Sequence, residues 1–173
     1  AIDASGIDSW YVDNIDFTID HDGVLELSGT LGLGTHLVTV SVNDTYGNEN
    51  SVVFELTVED TMEPEIKLYK NATSVMFEED SVYVNWSATD LDLNSAEYNV
   101  SGPSGLIYTT NSPVGETTFT PANLTETGTY TVSFLAADAT GNSETATDSF
   151  IVNDGSAPEF TSVPLNESIE LGD

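Results

Sequence analysis

The chain has 173 residues, of which 30 are aspartate or glutamate and only Lys67 and Lys70 are basic, giving a formal net charge of −28. So acidic a surface repels nucleic acid and anionic lipid, which makes both improbable partners. The absence of cysteine excludes disulfides and zinc–thiolate sites, and no apolar run of about 18 residues predicts membrane insertion.

The sequence repeats itself at a constant offset of 94 residues. The tripeptide that begins at Pro64 returns at Pro158, as Pro-Glu followed by an apolar residue. The same offset relates Gly34 to Gly128, Asp44 to Asp138, Gly47-Asn48 to Gly141-Asn142, and Asp60 to Asp154. A repeat of this length predicts two domains of ordinary sandwich size, followed by the beginning of a third.

Residues 1–60 consist of short segments that alternate apolar and polar residues and are separated by Gly, Asn and Asp. This period of two, with many β-branched residues, predicts strands rather than helices. The predicted strands are 8–12, 17–19, 24–27, 35–42 and 52–58.

Residues 61–154 show the same alternation over a longer set of segments. The predicted strands are 65–68 and 75–77 as one interrupted strand, then 82–88, 96–100, 106–109, 117–120, 130–136 and 147–152. Seven short strands at regular spacing are typical of an immunoglobulin-like sandwich, here without the cysteine pair of antibody domains. We therefore predict an all-β chain of two tandem immunoglobulin-like β-sandwiches: domain 1–60, domain 61–154 and a C-terminal tail, 155–173.

The first domain has no counterpart of the first strand of the second domain, and it has only the end of a second strand, because Ala1-Ile2-Asp3 aligns with Ala88-Thr89-Asp90. The tail 158–173 resembles the missing first segment. We expect it to act as a donor strand for the first domain of another copy, since strand addition to a sheet edge is an established recognition mode. Its apolar side chains are Phe160, Val163, Leu165, Ile169 and Leu171.

A head-to-tail contact of this kind, if it does not close, generates a homopolymer. The alternative is that the sequence is an excerpt of a longer tandem array, in which the tail simply begins the next domain. The two hypotheses differ in whether the joint between domains is strand exchange or covalent.

Acidic and amide side chains cluster in loops that an immunoglobulin-like topology brings to one end of the sandwich. Oxygen ligands from several loops are what Ca²⁺ binds, so we expect calcium at the domain junction. The candidate ligands there are Asp60, Glu63, Asp90, Asp92, Asn94, Asp138 and Asn142. The equivalent junction between copies would combine Asp154 of one copy with Asp3, Asp8, Asp44 and Asn48 of the next. The alternative is that Asp and Asn occur there because turns favour them.

Six Asn-x-Ser/Thr sequons indicate an exported protein with N-linked glycans, although a chain rich in Thr and Asn also makes sequons by chance. They are Asn43, Asn71, Asn85, Asn99, Asn123 and Asn166.

No arrangement of residues predicts catalysis. The two histidines are His21 and His36, and His36 aligns with Tyr130 of the second domain, which indicates a packing or surface residue. No Gly-x-Ser-x-Gly motif is present. We therefore do not expect an enzyme.

Three segments carry a resemblance to a known group of proteins. They are Ile2-Asp-Ala-Ser-Gly-Ile-Asp-Ser-Trp10, Phe17-Thr-Ile-Asp-His-Asp-Gly-Val-Leu25 and Val40-Ser-Val-Asn-Asp-Thr-Tyr-Gly-Asn48. They resemble the cadherin-like and immunoglobulin-like tandem repeats of archaeal cell-surface proteins. The resemblance implies an extracellular, structural or adhesive role, similar in logic to archaeal threads and pili built by donor-strand complementation.

Together these features predict a subunit of an extracellular filament, assembled head to tail by strand donation and stiffened by cations at its junctions. The alternative function is a fragment of an adhesin, stalk or surface-layer protein that binds glycan or protein.

Overall fold

The computed structural model describes residues 3, 4 and 6–162, and all of the regular structure in them is β-strand. The prediction of an all-β fold is confirmed. The chain divides into two units, Ala1–Met62 and Glu63–Asp173. In the part of the chain that the structure describes, no helix is long and apolar enough to cross a membrane.

The first unit contains five strands in two small sheets. They are β1 (Ile7–Val12), β2 (Phe17–Ile19), β3 (Leu25–Leu27), β4 (Gly34–Asp44) and β5 (Glu49–Val58). One sheet is antiparallel with the order β1-β4-β5, and the other is the hairpin of β2 and β3. All five predicted strands are present, with β4 and β5 longer than the sequence pattern indicated.

The second unit contains eight strands in two sheets. They are β6 (Glu65–Lys70), β7 (Ser74–Met76), β8 (Val82–Thr89), β9 (Leu93–Gly102), β10 (Gly105–Thr110), β11 (Val114–Phe119), β12 (Gly128–Asp138) and β13 (Ser143–Asn153). The sheet orders are β10-β9-β12-β13-β7 and β11-β8-β6. Two mostly antiparallel sheets in this arrangement form an immunoglobulin-like sandwich.

The predicted interruption of the first strand is a change of sheet. β6 pairs with β8 in the smaller sheet, whereas β7 crosses to the larger sheet and pairs in parallel with β13. The sequence pattern located the break but not the parallel pairing, because alternation of apolar residues does not reveal which neighbour a strand bonds to.

Aromatic side chains fill the core of the second unit. Val82, Val84, Trp86 and Ala88 alternate inward along β8, and the Trp86 ring stacks on Tyr98 with 3.9 Å between ring centroids. A Cβ atom at Gly115 would collide with the Trp86 ring. Glycine therefore allows the backbone of β11 to approach this large side chain closely.

Tyr130 forms a hydrogen bond typical of immunoglobulin-like folds. Its hydroxyl donates to the carbonyl oxygen of Glu126 at 3.0 Å, and its buried ring stacks on Phe150. This is the tyrosine corner at the start of the penultimate strand. In the first unit His36 occupies the same position, and its Nε2 lies 2.8 Å from the carbonyl oxygen of Gly32. His36 therefore contacts the loop that precedes β4.

Replacement of Tyr130 by Phe removes the corner hydrogen bond and retains the buried ring. We expect the free energy of unfolding of the second unit to fall by about 1 kcal/mol, the usual net contribution of such a bond. Urea denaturation followed by tryptophan fluorescence measures this change. Unchanged stability in Tyr130→Phe would show that the hydroxyl bond contributes nothing.

One of the two lysines forms a shielded ion pair inside the second unit. Lys70 Nζ lies 2.5 Å from Asp148 Oδ2, and the Lys70 side chain is only 12% exposed while that of Asp148 is 41% exposed. The hydrogen bond from Lys70 lowers the pKa of Asp148 from its ordinary value of 3.8, and the backbone N–H of Ser149 adds to this, whereas burial opposes it. Lys67 pairs with Glu65 at 3.0 Å, but both of these side chains are exposed.

A lowered pKa in the folded state makes stability depend on pH. The contribution of Asp148 is fully present above its unfolded pKa and is lost as the pH falls through the lower folded pKa. Below about pH 4, we expect the free energy of unfolding of the second unit to fall less steeply with pH in Lys70→Met than in the parent chain. Lys67→Met should leave this pH dependence unchanged, because exposed ion pairs contribute little. Urea midpoints measured from neutral to acidic pH test this, and identical pH profiles for Lys70→Met and the parent chain would contradict it.

Candidate functional site

The interior face of the first unit is only partly covered. Among its described residues, Phe17 and Val38 are the buried apolar side chains, whereas sixteen buried residues form the core of the second unit. Val40 and Val42 also face inward along β4, yet both are half-buried. The first unit therefore retains an accessible apolar face.

The two units can be compared position by position, because their last two strands pair in the same register. Gly34 pairs with Val58 in the first unit, as Gly128 pairs with Val152 in the second. At the offset of 94, Leu56 and Val58 correspond to Phe150 and Val152. Phe150 and Val152 are fully buried, but Leu56 and Val58 are half-buried.

The first segment of the second unit covers its core, and the described residues of the first unit contain no counterpart of this segment. Pro64 and Val75 are buried, and Ile66 and Phe77 pack against the core. β7 also bonds to the edge of β13: Ile151 N–H donates to the Thr73 carbonyl at 3.0 Å, and Phe77 N–H donates to the Asn153 carbonyl at 2.9 Å. This one segment closes both the core and the sheet edge.

In the first unit, none of the described strands pairs with the outer edge of β5. An open sheet edge beside an accessible apolar face is a template for a further strand. The sequence pattern alone did not predict that residues 57–59 form this edge. The repeat indicates it, because residues 57–59 correspond to residues 151–153, which pair with β7 in the second unit.

Of the predicted donor residues, one lies in the described part of the chain. Phe160 is 90% exposed. Val163, Leu165, Ile169 and Leu171 lie outside the described residues, and so does the sequon at Asn166.

Three of the predicted metal ligands come together at one end of the second unit. Carboxylate oxygens of Asp90, Asp92 and Asp138 lie within 4.8 Å of one another. The three residues come from the loop after β8 and from the end of β12, which are adjacent because the Ala139 N–H donates to the Asp92 carbonyl at 3.2 Å. The Asp92 N–H also donates to Asp90 Oδ1 at 3.2 Å.

Asp138 is the buried member of this acidic cluster, at 3% exposure. Its Oδ1 accepts the N–H groups of Gly141 and Asn142 at 2.6 and 2.8 Å, and its Oδ2 accepts Asn142 Nδ2 at 2.7 Å. Burial acts to raise the pKa of Asp138, but these hydrogen bonds outweigh it and lower the pKa from 3.8. The carboxylate is therefore held ionised by its own turn.

The first unit contains the same turn. Asp44 Oδ1 accepts the N–H groups of Tyr46 and Asn48, each at 2.8 Å, and Asp44 Oδ2 accepts Asn48 Nδ2 at 2.6 Å. In both turns the Asp and Asn side chains bond to each other and to the backbone. The turn chemistry thus accounts for these residues whether or not a metal binds. Gly47 has φ of 82° there, which glycine adopts without strain.

The remaining predicted ligands occur in both units, and each is described within its own unit. Asp3 lines a shallow depression in the first unit together with Asp44 and Asn48, whereas Asp8 is exposed on β1. Asp60 Oδ1 accepts the N–H of Met62 at 2.9 Å, and Glu63 is exposed before the buried Pro64.

Asn94 and Asp154 lie elsewhere in the second unit. Asn94 is exposed on β9, where it lines a depression with Asn111. Asp154 follows β13, at the end of that strand opposite to Asp138, and accepts the N–H of Ser156 at 3.0 Å.

The described sequons differ in accessibility. Asn71 and Asn123 are exposed next to strand ends, whereas Asn43, Asn85 and Asn99 are partly buried within strands. Asn99 Nδ2 donates to Glu97 at 2.7 Å, which engages the nitrogen that a glycan would occupy. Asn71 and Asn123 are therefore the more accessible acceptors in the described part of the chain.

Comparison with known proteins gives one sequence relative and several structural neighbours. No protein-family profile matches the chain. An uncharacterized 81.3 kDa protein of Acholeplasma phage L2 is 27% identical over 144 residues, which cover 80% of this chain and 18% of that protein. The chain thus spans about a fifth of the length of this relative.

Solved structures with similar folds are remote. The fibronectin(III)-like modules of Clostridium thermocellum CbhA give a TM-score of 0.41 at 14% identity, covering 95% of this chain and 87% of that one. The amphioxus IgVJ-C2 molecule gives 0.41 at 18% identity, covering 80% and 72%. Dimeric latent PorU from Porphyromonas gingivalis gives 0.39 at 15% identity, covering 87% and 16%.

Proposed function

We propose that the chain is a structural subunit of an extracellular filament, in which the tail of one copy completes the first unit of the next. The observation that carries the proposal is the contrast between Leu56 and Val58, which are half-buried, and their fully buried counterparts Phe150 and Val152. Among the described residues, the apolar face is covered in the second unit and accessible in the first. At the offset of 94, the tail 158–173 aligns with the segment that closes the second unit and begins with the same Pro-Glu pair.

The energy available from such a joint is sufficient for a lasting contact. Burial of an apolar side chain contributes about 1.5–3 kcal/mol, so the five apolar side chains of the tail offer on the order of 10 kcal/mol. Ordering the tail and immobilising a second molecule subtract from this. Backbone hydrogen bonds along an open edge add to it and fix the direction of the strand.

Removal of residues 157–173 deletes the proposed donor and leaves β13 of the second unit intact. We expect the shortened chain to remain monomeric over concentrations at which the full chain forms linear polymers, and its first unit to unfold at lower temperature. Analytical ultracentrifugation and electron microscopy measure assembly. Polymers of unchanged length after the deletion would refute strand donation.

The adhesin, stalk or surface-layer alternative predicts a different behaviour. A binding module would stay monomeric with its tail intact. A glycan or protein identified on an array would then raise its melting temperature. A surface-layer component would give two-dimensional order rather than threads.

We further propose that calcium binds the cluster of Asp90, Asp92 and Asp138 in the second unit, with Glu63 and Asn142 of the same unit as predicted additional ligands. Three carboxylates within 4.8 Å of one another repel strongly unless a cation screens them. Hard oxygen ligands in this number suit Ca²⁺. The chain has only two lysines and no arginine to provide that charge itself.

Calcium that binds the folded second unit and not the unfolded chain must raise its stability. We expect about 2.7 kcal/mol at a calcium concentration one hundred times the dissociation constant. Thermal denaturation with calcium or with chelator measures the shift, and Asp92→Asn should reduce it. Asp80→Asn, at an acidic residue outside the cluster, is the matched control. An equal response to calcium and to magnesium in all three proteins would indicate charge screening instead of a site.

A further inference from the structure

We propose that Asn71 carries an N-linked glycan whose first sugar packs on the exposed ring of Tyr69. The sequon is Asn71-Ala72-Thr73, and Tyr69 stands two residues before its asparagine. All of these residues belong to the second unit. The proposal therefore rests on the extracellular setting of the proposed function and not on strand donation.

The sequon lies where the chain leaves one sheet for the other. Asn71 and Thr73 are exposed in the segment between β6 and β7, outside both strands. Connecting segments run over the protein surface, and a bulky, hydrated glycan needs such a position. The Asn71 side chain is therefore accessible to an enzyme and has room for a sugar.

Two hydrogen bonds hold Asn71 beside Tyr83. The Asn71 N–H donates to the Tyr83 carbonyl oxygen at 3.1 Å, and Asn71 Oδ1 accepts the Tyr83 N–H at 2.8 Å. These bonds use the backbone and Oδ1 of Asn71, whereas a glycan is joined to Nδ2. A glycosylated amide keeps its carbonyl oxygen as an acceptor, so attachment of the sugar retains both bonds.

Tyr69 provides an aromatic surface next to the acceptor. Its side chain is 55% exposed, on the outward side of β6. Tyr69 pairs with Asn85 on β8, and the same register, continued by one residue, sets Asn71 opposite Tyr83. Asn71 is thus near one tyrosine along its own strand and faces a second one across the sheet.

A sugar suits this surface better than a charged group does. A tyrosine ring has a large apolar face, and the C–H groups on one side of a pyranose complement it. Packing of the two removes apolar surface from water and needs no charge. The formal net charge of −28 disfavours anionic groups, but a neutral sugar meets no such repulsion.

Two further sequons of the second unit are less suited to modification. Asn85 and Asn99 both lie within strands. Their Nδ2 groups already donate, that of Asn85 to the Tyr83 hydroxyl at 3.4 Å and that of Asn99 to Glu97 Oε1 at 2.7 Å. A glycan on either residue would replace a hydrogen bond and crowd the surface of a sheet.

Asn123 is the matched control within the chain. It is exposed in a loop, its Oδ1 accepts the Thr120 N–H at 3.0 Å, and its own N–H donates to the Thr120 carbonyl oxygen at 2.8 Å. Its side chain is thus held through Oδ1, as that of Asn71 is. The residue two positions before it is Pro121, so a glycan there has no ring in the position of Tyr69.

The modification is a group transfer from a glycosyl diphosphate donor of the export machinery. A bond forms between Asn71 Nδ2 and C1 of the sugar, and the bond from C1 to the diphosphate oxygen breaks. The diphosphate leaves with the electron pair of that bond. Nδ2 loses one proton to the transferring enzyme.

Occupancy of the sequons is the first measurement. We would secrete the full chain from a eukaryotic host, trim its glycans to a single N-acetylglucosamine with an endoglycosidase, and quantify each site by peptide mass spectrometry. We expect occupancy of Asn71 and Asn123 to exceed that of Asn85 and Asn99 by about tenfold. An unoccupied Asn71 would overturn the proposal.

Removal of each sequon through its threonine separates the sugar from the asparagine. Thr73→Ala and Thr125→Ala each abolish one sequon and keep the hydrogen bonds of Asn71 and Asn123. In the trimmed, secreted chain, Thr73→Ala should lower the melting temperature of the second unit by about 4 °C, as expected for loss of one aromatic contact in a domain of this size. Thr125→Ala should lower it by less than about 1 °C, because its glycan has no aromatic partner.

The same substitutions in sugar-free protein, made in a bacterial cytosol, are the control for the threonine itself. Scanning calorimetry measures both sets of proteins. We expect Thr73→Ala and Thr125→Ala to have equal, small effects without sugar. A loss in sugar-free Thr73→Ala as large as in the secreted variant would show that the threonine, and not the glycan, stabilises the loop.

Tyr69→Ala tests the packing partner. In this background Thr73→Ala should no longer change the melting temperature of the secreted chain, since the sugar has lost the ring it packs on. An equal loss with and without Tyr69 would overturn the packing. Filament formation is scored on the same samples: absence of polymers would refute strand donation alone, and polymers without sugar at Asn71 would refute this proposal alone.

Discussion

An immunoglobulin-like sandwich is stable only when both of its sheets cover the residues between them. In the second unit this requirement is met by the segment from Pro64 to Phe77, which passes from one sheet to the other and closes the edge of β13. In the first unit the same positions of β5 remain half-buried and the same edge is open among the described strands. The proposed assembly follows from this difference, because the unit that is open and the segment that would close it belong to one repeat.

The strands of both units could be predicted from the sequence because they are short and alternate regularly between apolar and polar residues. Val82, Val84 and Trp86 of β8 show this pattern and are all buried. The parallel pairing of β7 with β13 could not be predicted in the same way. It depends on which sheet a three-residue strand joins after the break at residues 71–73, and no periodicity is visible over so few residues.

The acidic residues illustrate a different limit. The sequence grouped Asp90, Asp92 and Asp138 as candidate ligands, and in the structure their carboxylate oxygens lie within 4.8 Å of one another. It could not show that Asp138 and Asn142 already bond to each other within a turn, as Asp44 and Asn48 also do. Composition alone does not separate residues that hold a turn from residues that hold an ion, because both tasks use the same carboxylate and amide oxygens. The role of His36 could be predicted only in part. The sequence aligns it with Tyr130, but only the structure shows that both side chains contact the carbonyl oxygen of the residue four positions earlier.

Hydrogen–deuterium exchange of the full chain over a range of concentrations tests the central claim most directly. The account predicts that amides of residues 49–59 and of 158–173 become protected together as concentration rises, while those of β12 stay protected throughout. Protection of residues 49–59 in dilute, monomeric protein, or continued exchange of both segments within polymers, would contradict it.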